Sequence, residues 1–338
     1  MHAAIKPWII LAGAAMVPLW AAANQANGQE FYKGKTITYV IATAAGGGYD
    51  FYGRLISKYM QEFLPGSTFV VKNSPGAGHI IAANLIYNSA PDGLTMGTFN
   101  NIGLVYSQLL SRKGIKYDLG KMTWIGKAAS DPRVIIVATN SPIKTIDDLT
   151  TAKTPIKFGM DGIGSSGYNN LMLLAKSLNW NIQSLFGYSG VETEMAIRRG
   201  DLDAQEGSLS SAIAFVKSGY ARYIVQIGGK PETGVPLLSE AITDPTAKSV
   251  VALVGSLAEV ARVTAGPPGI PAARADALVS AYRKALEDPR VKEIIEKAER
   301  PVEPLYGEDL AKLMRESLDQ PPSVIAMLSE ILEAGEKK

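Results

Sequence analysis

The sequence predicts an α/β fold made of two halves with one shared layout. Two observations carry this reading. Short β-rich runs alternate with helical patterns along most of the chain, the grammar of an α/β sheet. A glycine-rich turn between a strand and a helix occurs once in each half, as "AAGGGYD" (44–50) and as "DGIGSSG" (161–167).

The elements follow in order. "KTITYVIAT" (35–43) is apolar and β-rich, the pattern of a buried strand. After "AAGGGYD", "DFYGRLISKYMQEFL" (50–64) places Phe51, Leu55, Ile56, Tyr59 and Phe63 at helical spacing, with Asp50 as a good N-cap. "STFVVKN" (67–73) reads as a strand, "SPGAG" as a turn, "HIIAANLIYNSA" (79–90) as a helix and "LTMGTFN" (94–100) as a strand. The second half begins near Arg133. "RVIIVAT" (133–139) is a strand, "TIDDLTT" (145–151) a short helix and "PIKFGM" (155–160) a strand. The glycine turn comes next, with a helix from Tyr168 in "YNNLMLLAKSLNW". "ETEMAIRRG" and "SSAIAFVKSG" are helices around the strand and turn of "DLDAQEG", and "ARYIVQIGG" (221–229) is a strand. "TAGPPGIP" (264–271) separates this region from a mostly helical tail.

The first residues are a targeting segment. "MHAAIKPWIILAGAAMVPLWAAANQ" has basic Lys6, an apolar run from Trp8 to Leu19 and then Ala21, Ala22 and Ala23, the three regions of a cleavable export signal. The run is shorter than the roughly 20 residues of a membrane span. No cysteine stands at the cleavage point, so lipid attachment there is excluded. Residues 1–28 are expected to be a signal peptide, with the mature chain starting between Asn24 and Gln29 in the periplasm.

Composition removes several function classes. The 338 residues carry 34 Lys and Arg against 32 Asp and Glu, and without Lys6 the mature balance is near +1. No concentrated basic footprint for nucleic acid exists. The absence of cysteine excludes disulfides, thiol nucleophiles and thiolate metal sites. His2 and His79 are the only histidines, so a multi-histidine metal site has too few ligands. No cofactor, metal or nucleic-acid partner is expected.

"GIGSSG" matches the dinucleotide pattern G-x-G-x-x-G, yet position 182 is Ile where an acid belongs, and Glu192 comes late. "SPIK" (141–144) fits S-x-x-K without its companion motifs, and no G-x-S-x-G elbow occurs. His79 reads as a surface or capping histidine. What remains are the two turns. Each puts unpaired N–H groups and the positive end of a helix dipole beyond a strand's carboxyl end. Two such ends facing each other suit the carboxylates of a small anion.

Four segments together carry a resemblance: "ITYVIATAAGGGYDFYGRLI", "VVKNSPGAGHIIAANLIYNSAPDGLTMG", "KFGMDGIGSSGYNNLM" and "GYSGVETEMAIRRGDLDA". In this order they resemble the periplasmic solute-binding receptors of tripartite tricarboxylate transporters, the Bug-type receptors, from about Lys35 to the C-terminal helices. The resemblance implies a two-lobed Venus-flytrap architecture of the type II-like kind, with the ligand between lobes. Expected boundaries are 29–131 plus 261–338 for the first lobe and 132–260 for the second. It implies a non-enzymatic protein that captures a small organic carboxylate for integral membrane transporter subunits, and a monomer is expected. An exported hydrolase-like α/β enzyme and a ligand module for a sensor kinase are the alternatives. The expected ligand-binding residues are Ala45, Gly46, Gly47, Gly48, Tyr49 and Asp50 of the first loop, Asn100, Gly162, Gly164, Ser165, Ser166 and Tyr168 around the second, and Tyr188 and Glu194. Tyr49, Gly167-Tyr168, Ser189 and Glu194 depart from the commoner family residues. They suit a larger, aromatic or amine-bearing acid.

Overall fold

The computed structural model describes residues 28–160, 162–163, 165–188, 191–320, 322 and 325–330. The expected leader up to residue 27, Gly164, Ser189 and residues 331–338 lie outside the described residues. Two mixed sheets organise the chain, and the fold is the expected two-lobed α/β one.

In the first sheet, β1 (Thr36–Ile41) pairs in parallel with β2 (Thr68–Asn73) and β3 (Thr95–Phe99). Helix α1 (Gly48–Phe63) crosses from β1 to β2, and α2 (Ile80–Tyr87) from β2 to β3. Helix α3 (Asn101–Leu109) follows β3, and β4 (Thr123–Lys127) comes next. The second sheet takes β5 (Arg133–Ala138), β6 (Ile156–Met160), β7 (Ile182–Phe186), β8 (Ala204–Ser208) and β9 (Ala221–Ile227) in the order β7-β6-β8-β5-β9. Its helices are α4 (Ile146–Thr151), α5 (Ser166–Leu178), α6 (Val191–Arg199), α7 (Leu209–Lys217), α8 (Leu238–Ala241) and α9 (Pro245–Ala258). The chain then returns to the first sheet as β10 (Val263–Gly266), between β3 and β4 and antiparallel to both. Helices α10 (Ala272–Glu287) and α11 (Pro289–Lys297), edge strand β11 (Leu305–Tyr306) and helix α12 (Gly307–Leu318) complete the named elements.

The two sheets repeat one plan: β2-β1-β3-β10-β4 matches β7-β6-β8-β5-β9, with a parallel triplet beside two strands that break the parallel run. The alternating grammar of the sequence announces β1, β2, β3, β5, β6, β8 and β9 as strands but not β4, β7, β10 or β11. Segments 128–132 and 259–262 carry the chain from one sheet to the other and back.

Two helix starts differ from expectation. The first helix begins at Gly48 with Gly47 as its N-cap, so Asp50 stands inside the first turn rather than capping it. The second-loop helix begins at Ser166, two residues before Tyr168, with Ser165 as N-cap. Glycine and serine are poor helix interior residues, so the periodic apolar signal starts later than the helix does.

Apolar side chains of β1, β3 and β10 pack under α2 and α3, while α10 and α1 cover the other face. The sheets meet through α3 and α5, where buried Tyr106 OH donates to Asn170 Oδ1 at 2.9 Å. Among the described residues no helix is long and apolar enough to cross a membrane.

Candidate functional site

The first loop leaves β1 and turns at Gly46, whose φ of 93° is one that L side chains rarely adopt. Ala45, Gly46 and Gly47 are exposed. Asp50 reaches back to hold them: its Oδ2 accepts from the Gly46 N–H at 3.0 Å, and its Oδ1 accepts from Arg54 Nε and Asn73 Nδ2, both at 2.9 Å. Asn73 also donates to the Thr43 carbonyl, tying the loop to the end of β2. Burial pushes the Asp50 carboxyl up, but the bonds from Arg54, Asn73 and Gly46 outweigh it and hold the pKa below its ordinary value. Asp50 is thus buried and occupied as the loop's anchor.

Gly48 is needed for a different reason. A Cβ there would lie 2.8 Å from Arg262 Nη1, 2.9 Å from Arg262 Nη2 and 3.1 Å from Arg300 Nη1. Tyr49 turns inward. Its ring lies 4.7 Å from the Arg262 guanidinium and meets the His79 ring edge-on at 5.8 Å.

His79 is the residue that the sequence reading undervalued. Gly76, Ala77, Gly78 and His79 have successive positive φ of 127°, 48°, 60° and 78°. Left-handed backbone at two non-glycine residues is strained, of order 1–3 kcal/mol each, and such strain clusters at functional sites. The turn aims the imidazole at α3, where Nδ1 accepts from the Asn100 N–H at 2.9 Å. That bond places the ring proton on Nε2. Burial pushes the His79 pKa down to about 4, so the ring is neutral near pH 7.

Asn100 is the N-cap of α3, its Oδ1 accepting from the Ile102 N–H at 3.0 Å. Its Nδ2 reaches Ser166 Oγ at 3.3 Å, across from the first sheet to the second. Ser165 caps α5 by accepting from the Tyr168 N–H at 3.3 Å, and Gly162 accepts from the Ser165 N–H at 3.2 Å. Gly162 has open space where a side chain would stand. The predicted residues Tyr49, Asn100, Ser165 and Ser166 are therefore linked, through His79, into one chain of contacts between the two loops.

Tyr168, Tyr188 and Glu194 lie around the second loop. Tyr168 is buried against Phe186, ring centroids 5.8 Å apart. Tyr188 is half-buried, its N–H donating to the Met160 carbonyl at the end of β6. Glu194, on α6, is half-buried, and burial raises its carboxyl pKa. Beneath the second loop, a Cβ on Gly167 would meet Glu206 Oε2 at 3.2 Å. Glu206 is gripped by Arg133, Nε to Oε1 and Nη2 to Oε2 at 2.7 Å each. Neither Arg133, Glu206, Arg262 nor Arg300 follows from local sequence, since each comes from a strand or segment remote from the loop it supports. Among the described residues no group of His, Asp and Glu has metal-site geometry.

Two matching sheets joined by two crossover segments define a two-lobed α/β architecture. Residues 53–329 match the tripartite tricarboxylate transporter family receptor, and the chain belongs to that family. Its members are receptors of a transporter system, not enzymes. A UPF0065 protein of Bordetella pertussis is 24% identical over 327 residues, covering 95% of this chain and 98% of its own. Among solved structures, MatC from Rhodopseudomonas palustris with bound malate is similar with a TM-score of 0.69 at 21% identity, covering 88% of this chain and 99% of its own. The periplasmic binding protein BugD gives a TM-score of 0.70 at 19% identity, covering 89% and 98%. These likenesses establish the fold.

Proposed function

We propose that the protein captures a small organic carboxylate between its two glycine loops and delivers it to the integral membrane subunits of a tripartite transporter. The observation that carries this reading is the contact between Asn100 and Ser166. It brings the N-termini of α3 and α5 face to face beside the first loop, and helix N-termini favour negative charge. Backbone N–H groups of the loops and the hydroxyl of Ser166 are the donors in this reading, with His79 fixing Asn100. The malate bound to MatC is a ligand of the same chemical class. The lobes are 29–131 plus 261–338 and 132–260, hinged at the two crossover segments. The protein works as a monomer in the periplasm after loss of its leader.

Calorimetry of the mature protein with a panel of organic acids that includes malate tests the reading. Saturable binding is expected, with a smaller radius of gyration in scattering as the lobes close. The acid should be recovered unchanged after incubation. If no member of the panel binds, or if the bound acid is turned over, the receptor reading for carboxylates falls.

A further inference from the structure

The first loop lies on an unusual floor. Arg262 is 1% exposed, and its guanidinium sits between the rings of Tyr49 and Tyr52, 4.7 and 4.9 Å away. Its Nη2 donates to Asp131 Oδ2 at 2.8 Å and to Ser210 Oγ. Its Nε and Nη1 are buried and have no partner among the described residues. Arg300 stands beside it, half-buried, 4.8 Å over the Phe51 ring, with Nε and Nη1 also buried and without a partner. Both guanidiniums approach the same face of Gly48, where α1 begins.

The charges around this point do not balance. Arg133 is matched by Glu206 and Arg262 by Asp131. Asp131 is occupied by Arg262 and the Ser210 N–H. No acid forms an ion pair with Arg300 among the described residues. Leaving buried guanidinium N–H groups unpaired is costly, and so is pressing two cations together away from water. The positive end of α1 adds to the same imbalance. All three features are relieved at once by one anion that accepts from both arginines.

We propose that Arg262 and Arg300 form an anion-binding subsite beside Gly48 that receives a carboxylate of the bound solute. The proposal rests on the receptor reading above and adds to it a charged contact on the first lobe. Arg300 is half-buried while Arg262 is buried, so Arg300 is the more accessible of the two and Arg262 the fixed partner behind it. The planar fork of each guanidinium suits the two oxygens of a carboxylate. Burial and the nearness of Arg262 hold the Arg300 pKa below its ordinary value, as expected of a cation lacking its counter-charge.

The test compares the wild-type mature chain with Arg300→Gln and Arg300→Lys. Malate binding is read by calorimetry and sulfate binding by the sulfate-dependent rise in Tm. Arg300→Gln should keep its fold, with a Tm no lower than wild type without anion, because it removes an unpaired cation. It should bind malate about ten- to hundredfold more weakly, the range for losing a hydrogen bond to a charged group. Arg300→Lys should lose less, retaining charge but not the fork. Equal malate affinity in wild type and Arg300→Gln overturns the subsite while the receptor reading stands. If wild type binds no organic acid, the receptor reading fails and the sulfate arm decides alone. A sulfate-dependent Tm rise lost in Arg300→Gln keeps the anion site, and an equal rise in both variants overturns it. Should Arg300→Gln fail to fold, a folded Arg300→Lys with wild-type malate affinity and sulfate response overturns it as well.

Discussion

The two glycine loops occupy equivalent places in the two sheets, yet they are held and charged in opposite ways. In the first, Gly47 caps α1 with no side chain, and the carboxylate of Asp50 folds the loop back from inside the helix. In the second, Ser165 does the capping with a neutral hydroxyl. The first rests on guanidiniums, Arg262 and Arg300. The second rests on a carboxylate, Glu206, neutralised by Arg133. The strand-glycine-helix pattern sets where the backbone goes. Residues arriving from distant chain set the charge the solute meets.

The strongest way to break this comparison is to unbalance the second floor. Glu206→Ala leaves Arg133, 6% exposed, as an unpaired buried cation and should cost about 3–5 kcal/mol in urea unfolding. A loss under 1 kcal/mol would mean that the pair is not what neutralises the second loop. Next is a steric test of the first floor. Gly48→Ala drives a Cβ into the Arg262 guanidinium, which is pinned by Asp131 and two tyrosine rings, with an expected cost of about 1–3 kcal/mol. Gly47→Ser, at φ −84° with open space around it, should be neutral or slightly stabilising. Equal effects of the two changes would place the arginines elsewhere.

Asp50→Asn sharpens the comparison through pH. The Asp50 pKa in the folded protein lies below its ordinary 3.8, so the stability it contributes is present above that value and is lost as pH falls through the folded pKa. The variant should be about 1–3 kcal/mol less stable at pH 7, and the gap should close in acid. A gap that persists at the lowest pH would assign the loss to geometry rather than charge. Smallest is the split between the serines. Ser165→Ala should cost about 1 kcal/mol of stability and leave binding nearly intact. Ser166→Ala should be nearly silent in unfolding but lose about tenfold in solute affinity. The reverse pattern would exchange their roles.

Much of this was legible locally. Strands β1, β2, β3, β6 and β8 and the two turns follow from alternation and glycine punctuation, while β7 gave no such pattern, and Ser165 stands where a cap belongs. Asp50 was misread as an N-cap because the apolar period begins after the glycines, although the helix itself starts at Gly48. His79 reads from sequence only as a surface or capping histidine. The signal available was the "GAGH" run, since the spacing of Gly76 and Gly78 marks a turn able to go left-handed. Arg262 and Arg300 gave no signal. They meet Gly48 only because β10 returns from the second sheet and the chain after α11 folds back beneath α1, and no local pattern encodes that return.

The placement of β10 also decides the order in which the molecule can be completed. It lies between β3 and β4 in the first sheet and joins them, and it begins at Val263. Until that stretch has been synthesised, the first sheet exists as separate pieces with the edges of β3 and β4 unpaired, open to wrong pairing. The second sheet needs only residues 133–227, one continuous stretch, and can close without waiting. A chain truncated before residue 263 should therefore keep one finished sheet and one in fragments. The part of this receptor that is made first is the last to be sealed.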